Sequence, residues 1–224
     1  MLKISIVTPL FNQARFLEEC LLSVKEKNYS NLKHKVVDGA STDGTVGILK
    51  HYSELSGWEH LRWLSEPDRC QADTINKGLP LATGDILAYL CADDGYAPGA
   101  FHLVNDFFRQ HPEVDLIYGE CDFIDQRGKV VRRKKALPFH ESRLLRRNLM
   151  WQTTVFFRAE TPREWKNHTP RLVFLFLCLF RVGSGPQRRP FPNLSCSKWN
   201  LPSEAHSLTR KCRARNSKGS ATGC

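Results

Sequence analysis

Between residues 3 and 119, short apolar β-branched runs alternate with segments whose apolar residues recur at helical spacing. That alternation constrains the chain more than any other feature. The runs are KISIV (3–7), HKVVDGAS with its acid at Asp38, LRWLSE (61–66), DILAYL (85–90) and DLIYG (115–119). Between them, Phe16, Leu17, Cys20, Leu21 and Val24 share one helical face to about Lys27. Val46, Ile48, Leu49 and Tyr52 fall in a second helix, residues 70–82 in a third that closes near Gly84, and Pro98 to Gln110 in a fourth. Asn12 is expected to cap the first helix and Ser41 or Thr42 the second. Strands and helices in strict alternation predict βαβ units and a mainly parallel sheet flanked by helices.

In such a sheet, ligands sit beyond the carboxyl ends of the strands. The polar residues of interest cluster at those ends: Thr8 and Asn12 after the first strand, Asp38 after the second, Glu66 and Asp68 after the third, Asp93 and Asp94 after the fourth. Acids that end three successive strands converge on one rim. Asp93-Asp94 follows a fully apolar strand and precedes a glycine. Two adjacent carboxylates at a low-dielectric edge need a divalent cation, a proton or solvent between them. Mg²⁺ or Mn²⁺ accepts such a pair together with phosphate oxygens; a solvated acidic turn capping the next helix is the plain structural alternative. Asp38 is placed to contact a ribose or base edge, or to form the turn in DGAS. Asp43 is read as a helix cap. No Gly-x-Gly-x-x-Gly follows the first strand and no Walker A motif occurs, which argues against dinucleotide binding and P-loop hydrolysis.

After Tyr118 the pattern loosens. RGKVVRRKK (127–135) reads as an exposed hairpin arm or basic loop, 141–148 as a short helix, and TTVFFR (153–158) as a late strand. From about Thr161 regularity fails. Of 33 Lys+Arg and 23 Asp+Glu, 12 and 2 fall in residues 161–224, so the net charge of +10 belongs wholly to the last 64 residues. The charge is therefore a property of the tail, and no nucleic-acid partner is expected for the domain before it. The eight cysteines form no CxxC pair and no zinc spacing, and free thiols are expected. The longest apolar run, Leu172 to Phe180, has nine residues, short of the roughly 18–20 that a membrane span needs. A poor match to a signal peptide adds to the expectation of a cytoplasmic protein.

ISIVTPLFNQARFLEECLLSV, VVDGASTDGT and SEPDRCQADTINKGLPLATGDILAYLCADD, in this order and spacing, resemble the N-terminal part of a family 2 glycosyltransferase. The resemblance covers roughly residues 1–160. It implies a GT-A type α/β fold (Rossmann-like), incomplete at its C-terminal side, with 1–160 as the nucleotide-sugar-binding domain and 161–224 as a basic, irregular tail. The implied activity is metal-assisted transfer of a sugar from a nucleotide-diphosphate sugar, usually with inversion, in polysaccharide assembly. The implied acceptor is a glycan or lipid-linked molecule, with peripheral association at the inner face of the membrane as an accompanying expectation. By the same resemblance, Thr8, Pro9, Asp38, Glu66, Asp68 and Asn76 match the nucleotide side, with Arg69 or Lys77 as charge partners. Asp93 and Asp94 match the metal motif (DxD type), and Asp93 also the nucleotide side. Cys91 stands where many members carry Asp or Asn, Cys70 replaces a common Gly and Thr74 a common Ala. Trp151 and Gln152 match the entry to the acceptor half, although Trp151 also reads as simple packing.

An inverting transfer needs a base for the acceptor hydroxyl. The family's GGFDE-like stretch, where that base usually lies, has no counterpart, and the tail offers only Glu164 and Glu204. The catalytic base is thus unassigned. The tail reads as a frame-shifted or fused segment. The sequence carries three functional readings: an active transferase, an impaired domain that binds nucleotide-sugar without turnover, and a basic tail that serves as an RNA- or membrane-binding appendage.

Overall fold

The computed structural model describes residues 1–25, 29–125, 128–136 and 150–160, and the backbone of a strand at 209–213. Its centre is a six-stranded sheet of order β3-β2-β1-β4-β9-β6. The strands are β1 (Ile4–Leu10), β2 (Leu32–Asp38), β3 (Leu61–Ser65), β4 (Ile86–Tyr89), β6 (Leu116–Ile117) and β9 (Phe156–Arg158). β1, β2, β3 and β4 are mutually parallel. β9 enters antiparallel between β4 and β6. The expected mainly parallel sheet flanked by helices is therefore the fold observed. Strand order runs one way from β1 to β3 and then reverses to β4, so the switch point lies between β1 and β4.

Helices α1 (Ala14–Val24), α2 (Thr45–Glu54), α3 (Gln71–Gly78) and α4 (Ala100–Gln110) cross between strands. Each follows from its apolar spacing: α1 buries Leu17, Cys20, Leu21 and Val24, and α4 buries Phe101, Val104 and Phe108. The third helix ends sooner than 70–82, and a 3₁₀ turn (Leu79–Leu81) carries the chain onward. Two glycines are fixed by close approach. A Cβ on Gly78 would overlap Val7, which lets α3 lie on β1. A Cβ on Gly84 would lie 2.7 Å from Lys3 O and Ser5 N, which lets β4 enter beside β1.

On one side of the sheet Ile4, Ile6, Ile86, Ala88, Phe101, Phe108 and Phe156 form a single buried cluster. Full burial of such side chains contributes about 1.5–3 kcal/mol each. A second sheet, of order β5-β10-β7-β8, contains β5 (Gly95–Tyr96), β7 (Cys121–Ile124), β8 (Val130–Lys134) and β10 (Thr209–Arg213). β7 and β8 pair antiparallel, so residues 128–135 of the basic segment contribute to a hairpin arm. Five residues of the tail thus form a strand; the rest of 161–224, and the helix expected at 141–148, lie outside the described residues. Cys20, Cys70, Cys91 and Cys121 are free thiols. Among the described residues no helix is long and apolar enough to cross a membrane.

Candidate functional site

Parallel neighbours deliver their carboxyl ends to one edge. β2 and β4 flank β1 directly, so the turns after Asp38 and Tyr89 stand two strand spacings apart, about 10 Å. β6 runs antiparallel to β9, which runs antiparallel to β4, so the segment after Ile117 leaves by this edge too.

The turns after β1 and β2 are stitched together. Gly39 N donates to Leu10 O at 2.8 Å, Asn12 N to Ser41 Oγ at 2.7 Å and Thr42 N to Asn12 Oδ1 at 2.9 Å. Asn12 and Ala40 both take positive φ, 49° and 65°, and such left-handed residues are held only where the surroundings over-determine them. The expected caps are corrected here. Asn12 does not cap α1, nor do Ser41 and Thr42 cap α2, because all three are spent on the stitch. Asp43 serves both helix starts, accepting from Ala14 N at 2.9 Å and from Thr45 N at 3.2 Å. Desolvation is the largest single influence and raises its carboxyl, but the hydrogen bonds from the Thr45 hydroxyl and the surrounding backbone N–H groups together hold it below its usual range.

Asp38 is fully buried and braces the same turn. It accepts from Ser41 N at 3.0 Å, from the Ser41 hydroxyl, and from Ser65 Oγ at 2.6 Å. Asp68 reaches the site over Gly39, where any Cβ would overlap its carboxylate, and also accepts from the Thr74 hydroxyl. Thr8 and Pro9 are both buried within β1. The Thr8 hydroxyl lies 2.8 Å from His34 Nε2 inside the core. Glu66 is exposed and pairs with Lys77 Nζ at 3.1 Å; Arg69 pairs with Asp73 at 3.2 Å. Asn76 keeps a buried Oδ1 with no hydrogen-bond partner among the described residues.

The acidic turn closes through Asp94 N donating to Cys91 O at 3.0 Å. One ligand atom each from Cys91, Asp93 and Asp94 lies within 4.8 Å of the others. Asp94 is only 7% exposed. Three buried groups that feel its charge stay neutral. Burial first, then the charge of Asp94, pushes the Cys20 thiol up; burial, then Cys91 and Asp94, does the same to the Tyr89 hydroxyl. Tyr96 is raised by burial, then by Cys20 and Asp94. None of these groups supplies positive charge to the carboxylates. Two carboxylates and a thiol converging at a low-dielectric edge form a donor set that fits a divalent cation.

Sequence reasoning placed Gln152 at the entry to the acceptor half but did not bring it, or Gln71, to the side of this turn. Gln71 Nε2 donates to Cys91 Sγ at 3.2 Å, and Gln152 Oε1 lies 3.5 Å from the same sulfur. Trp151, beside Gln152, meets Phe123 edge to face with ring centroids 5.1 Å apart, and Lys134 Nζ lies 5.8 Å over its ring. Trp151 is thus packed against Phe123 and Lys134 while staying partly exposed. Phe11, 57% exposed, stands directly after β1 at the same edge. Its only sequence signal is an apolar residue inside a polar turn.

The residues match the family model "Glycosyl transferase family 2" over 5–166. A PGL/p-HBAD biosynthesis glycosyltransferase of Mycobacterium tuberculosis is 35% identical over 117 residues, 52% of this chain and 45% of that protein. The O-antigen biosynthesis protein RfbC of Myxococcus xanthus is 35% identical over 128 residues, 56% of this chain and 10% of that protein. The chain thus spans under half the length of these relatives. Among solved structures, residues 1–349 of Staphylococcus aureus TarS with UDP-GlcNAc superpose with a TM-score of 0.59 at 20% identity, covering 75% of this chain and 48% of that fragment. The mannosyltransferase PcManGT of Pyrobaculum calidifontis, with GDP-Man and Mn²⁺, gives 0.54 at 22% identity, covering 73% of this chain and 46% of that one. Both share the fold.

Proposed function

The chain belongs to glycosyl transferase family 2, and on that premise we propose that it binds a nucleotide-diphosphate sugar at the edge shared by β1, β2 and β4. There it transfers the sugar to an acceptor hydroxyl, with metal assistance and inversion. The observation that carries this reading is the convergence of the Asp38 turn and the Cys91–Asp94 turn on either side of β1.

In this reading the stitched turns hold the nucleoside. Phe11 offers an exposed ring face on which a base can stack. Asp38 keeps the turn rigid, and Asp68, over Gly39, is the carboxylate that faces a ribose or base edge. Asp93 and Asp94 hold the metal, which when bound offsets charge on the departing diphosphate. Gln152 and Trp151 border the acceptor side. The β7–β8 arm, with Val130 and Val131 exposed beside Arg132 and Lys134, is the surface that would meet an anionic membrane carrying a lipid-linked acceptor.

A second reading, binding without turnover, is favoured by the engagement elsewhere of all but one of the described carboxyl groups past β6. Among the described residues Asp122 is clamped by Arg133 at 2.7 Å, Asp125 closes the hairpin turn on Lys129, and Glu160 lies at the opposite edge, where Ala159 N meets Asp85 O. Glu120 alone of these follows β6 onto the site edge. Burial raises its carboxyl above the usual range, with Arg133 and Lys135 opposing, and such a shift suits a proton acceptor. Metal-dependent release of nucleoside diphosphate, measured with Glu120→Gln alongside, separates the two readings. Release that is lost in the variant supports turnover through Glu120. Nucleotide binding with no release in the unaltered chain supports binding alone.

A further inference from the structure

We propose that the Cys91 thiol is a third ligand at the acidic turn and tilts the site toward divalent ions that accept sulfur, such as Co²⁺, Zn²⁺ and Cd²⁺, over Mg²⁺. The proposal rests on the metal-assisted reading above and adds a residue and a selectivity that the carboxylate pair does not supply. Cys91 is partly exposed, and its Sγ lies within 4.8 Å of a ligand atom of both Asp93 and Asp94. Its sulfur is aimed rather than loosely placed. Gln71, in the first turn of α3, donates Nε2–H to it at 3.2 Å. Gln152 is fixed by its own Nε2, which donates to Tyr89 O at 2.5 Å, and this turns Oε1 toward the sulfur at 3.5 Å. Oε1 is therefore the acceptor for the S–H. Two residues from distant parts of the chain, one in α3 and one in a 3₁₀ turn (Gln152–Thr154) before β9, hold one thiol against two carboxylates.

Chemistry sets the consequence. Mg²⁺ demands oxygen ligands in near-ideal octahedral geometry and gains nothing from a thiol. Softer ions form strong bonds to thiolate. As such an ion binds, the S–H proton leaves to solvent and a metal–sulfur bond forms, with no change of oxidation state. A carboxylate or amide at position 91 would favour the hard ion instead.

The test is a Co²⁺ titration of the full chain in the presence of saturating UDP, followed by the sulfur-to-cobalt charge-transfer absorption, with Mg²⁺ as competitor. Cys91→Ser and Cys91→Asp serve as variants, so the other seven cysteines are constant throughout. The expected result is a charge-transfer band in the unaltered chain that both variants lack. Co²⁺ preference over Mg²⁺ should fall by about tenfold in Cys91→Ser, the scale of change on losing one supporting metal partner. Should Cys91→Ser keep both band and preference, the thiol is not a ligand and the proposal is overturned, while the carboxylate clamp stands. Co²⁺ binding without any such band overturns it equally. Absence of all divalent-ion binding, by calorimetry with Mn²⁺ and UDP, overturns both the proposal and the metal-assisted reading.

Discussion

His34 makes the core acid-sensitive by a calculable amount. It is fully buried in β2, with Nε2 on the Thr8 hydroxyl and Nδ1 lacking a hydrogen-bond partner among the described residues. Burial, and secondarily the nearby His60, pushes it from 6.5 down to about 3. In the unfolded chain it gains a proton near 6.5; in the folded chain it stays neutral. Between those values the unfolded state binds more protons, so stability falls as pH drops below about 6.5 and this loss ends near pH 3. Each pH unit in that window costs about 1.4 kcal/mol, so the descent from pH 7.5 to 4.5 removes about 3 kcal/mol, a large share of ordinary domain stability. His34→Gln retains an acceptor for Thr8 and removes the titration. Urea denaturation of both proteins across this range should show the difference in unfolding free energy changing by about 3 kcal/mol. Parallel curves, or an imidazole NMR signal of His34 that titrates near 6.5 in the folded protein, would refute the reasoning.

Other perturbations act on separate parts of the structure. Gly84→Ala puts a Cβ against backbone atoms of β1 and should destabilise by about 1–3 kcal/mol, read as a lower urea midpoint. Phe101→Ala empties the cluster shared by α4 and the sheet and should cost about 3–5 kcal/mol in the same assay. Gly39→Ala displaces Asp68 and should weaken nucleotide affinity about tenfold, the worth of one good hydrogen bond, with little change in melting temperature; calorimetry with UDP or GDP reads it. Asp94→Asn should abolish Mn²⁺-dependent thermal stabilisation by nucleoside diphosphate while the chain still folds.

The parallel sheet was legible because β1, β2 and β4 are apolar, β-branched runs with helical spacing between them. The placement of β9 between β4 and β6 was not, since three residues, Phe156–Arg158, carry no sign of their partners. Strand ends told which acids share an edge, and Asp38, Asp68, Asp93 and Asp94 do so. They did not tell how each side chain is spent. Thr8 looked available at a strand end, yet alternation turns it inward to His34. Asn12, Ser41 and Thr42 read as helix caps by local rule, but bonds across some 30 residues claimed them. Cys91 looked like a lost ligand because the sequence cannot show Gln71 and Gln152 closing on it from 20 and 61 residues away.

The most direct measurement is calorimetric titration of the full chain with UDP and with GDP, each with Mn²⁺, against the double variant Asp93→Asn with Asp94→Asn. Metal-dependent binding of at least one nucleotide to the unaltered chain, lost in the double variant, is the predicted result. Binding of equal strength in both proteins, or none to either, would contradict a nucleotide-diphosphate site at the β1–β4 edge.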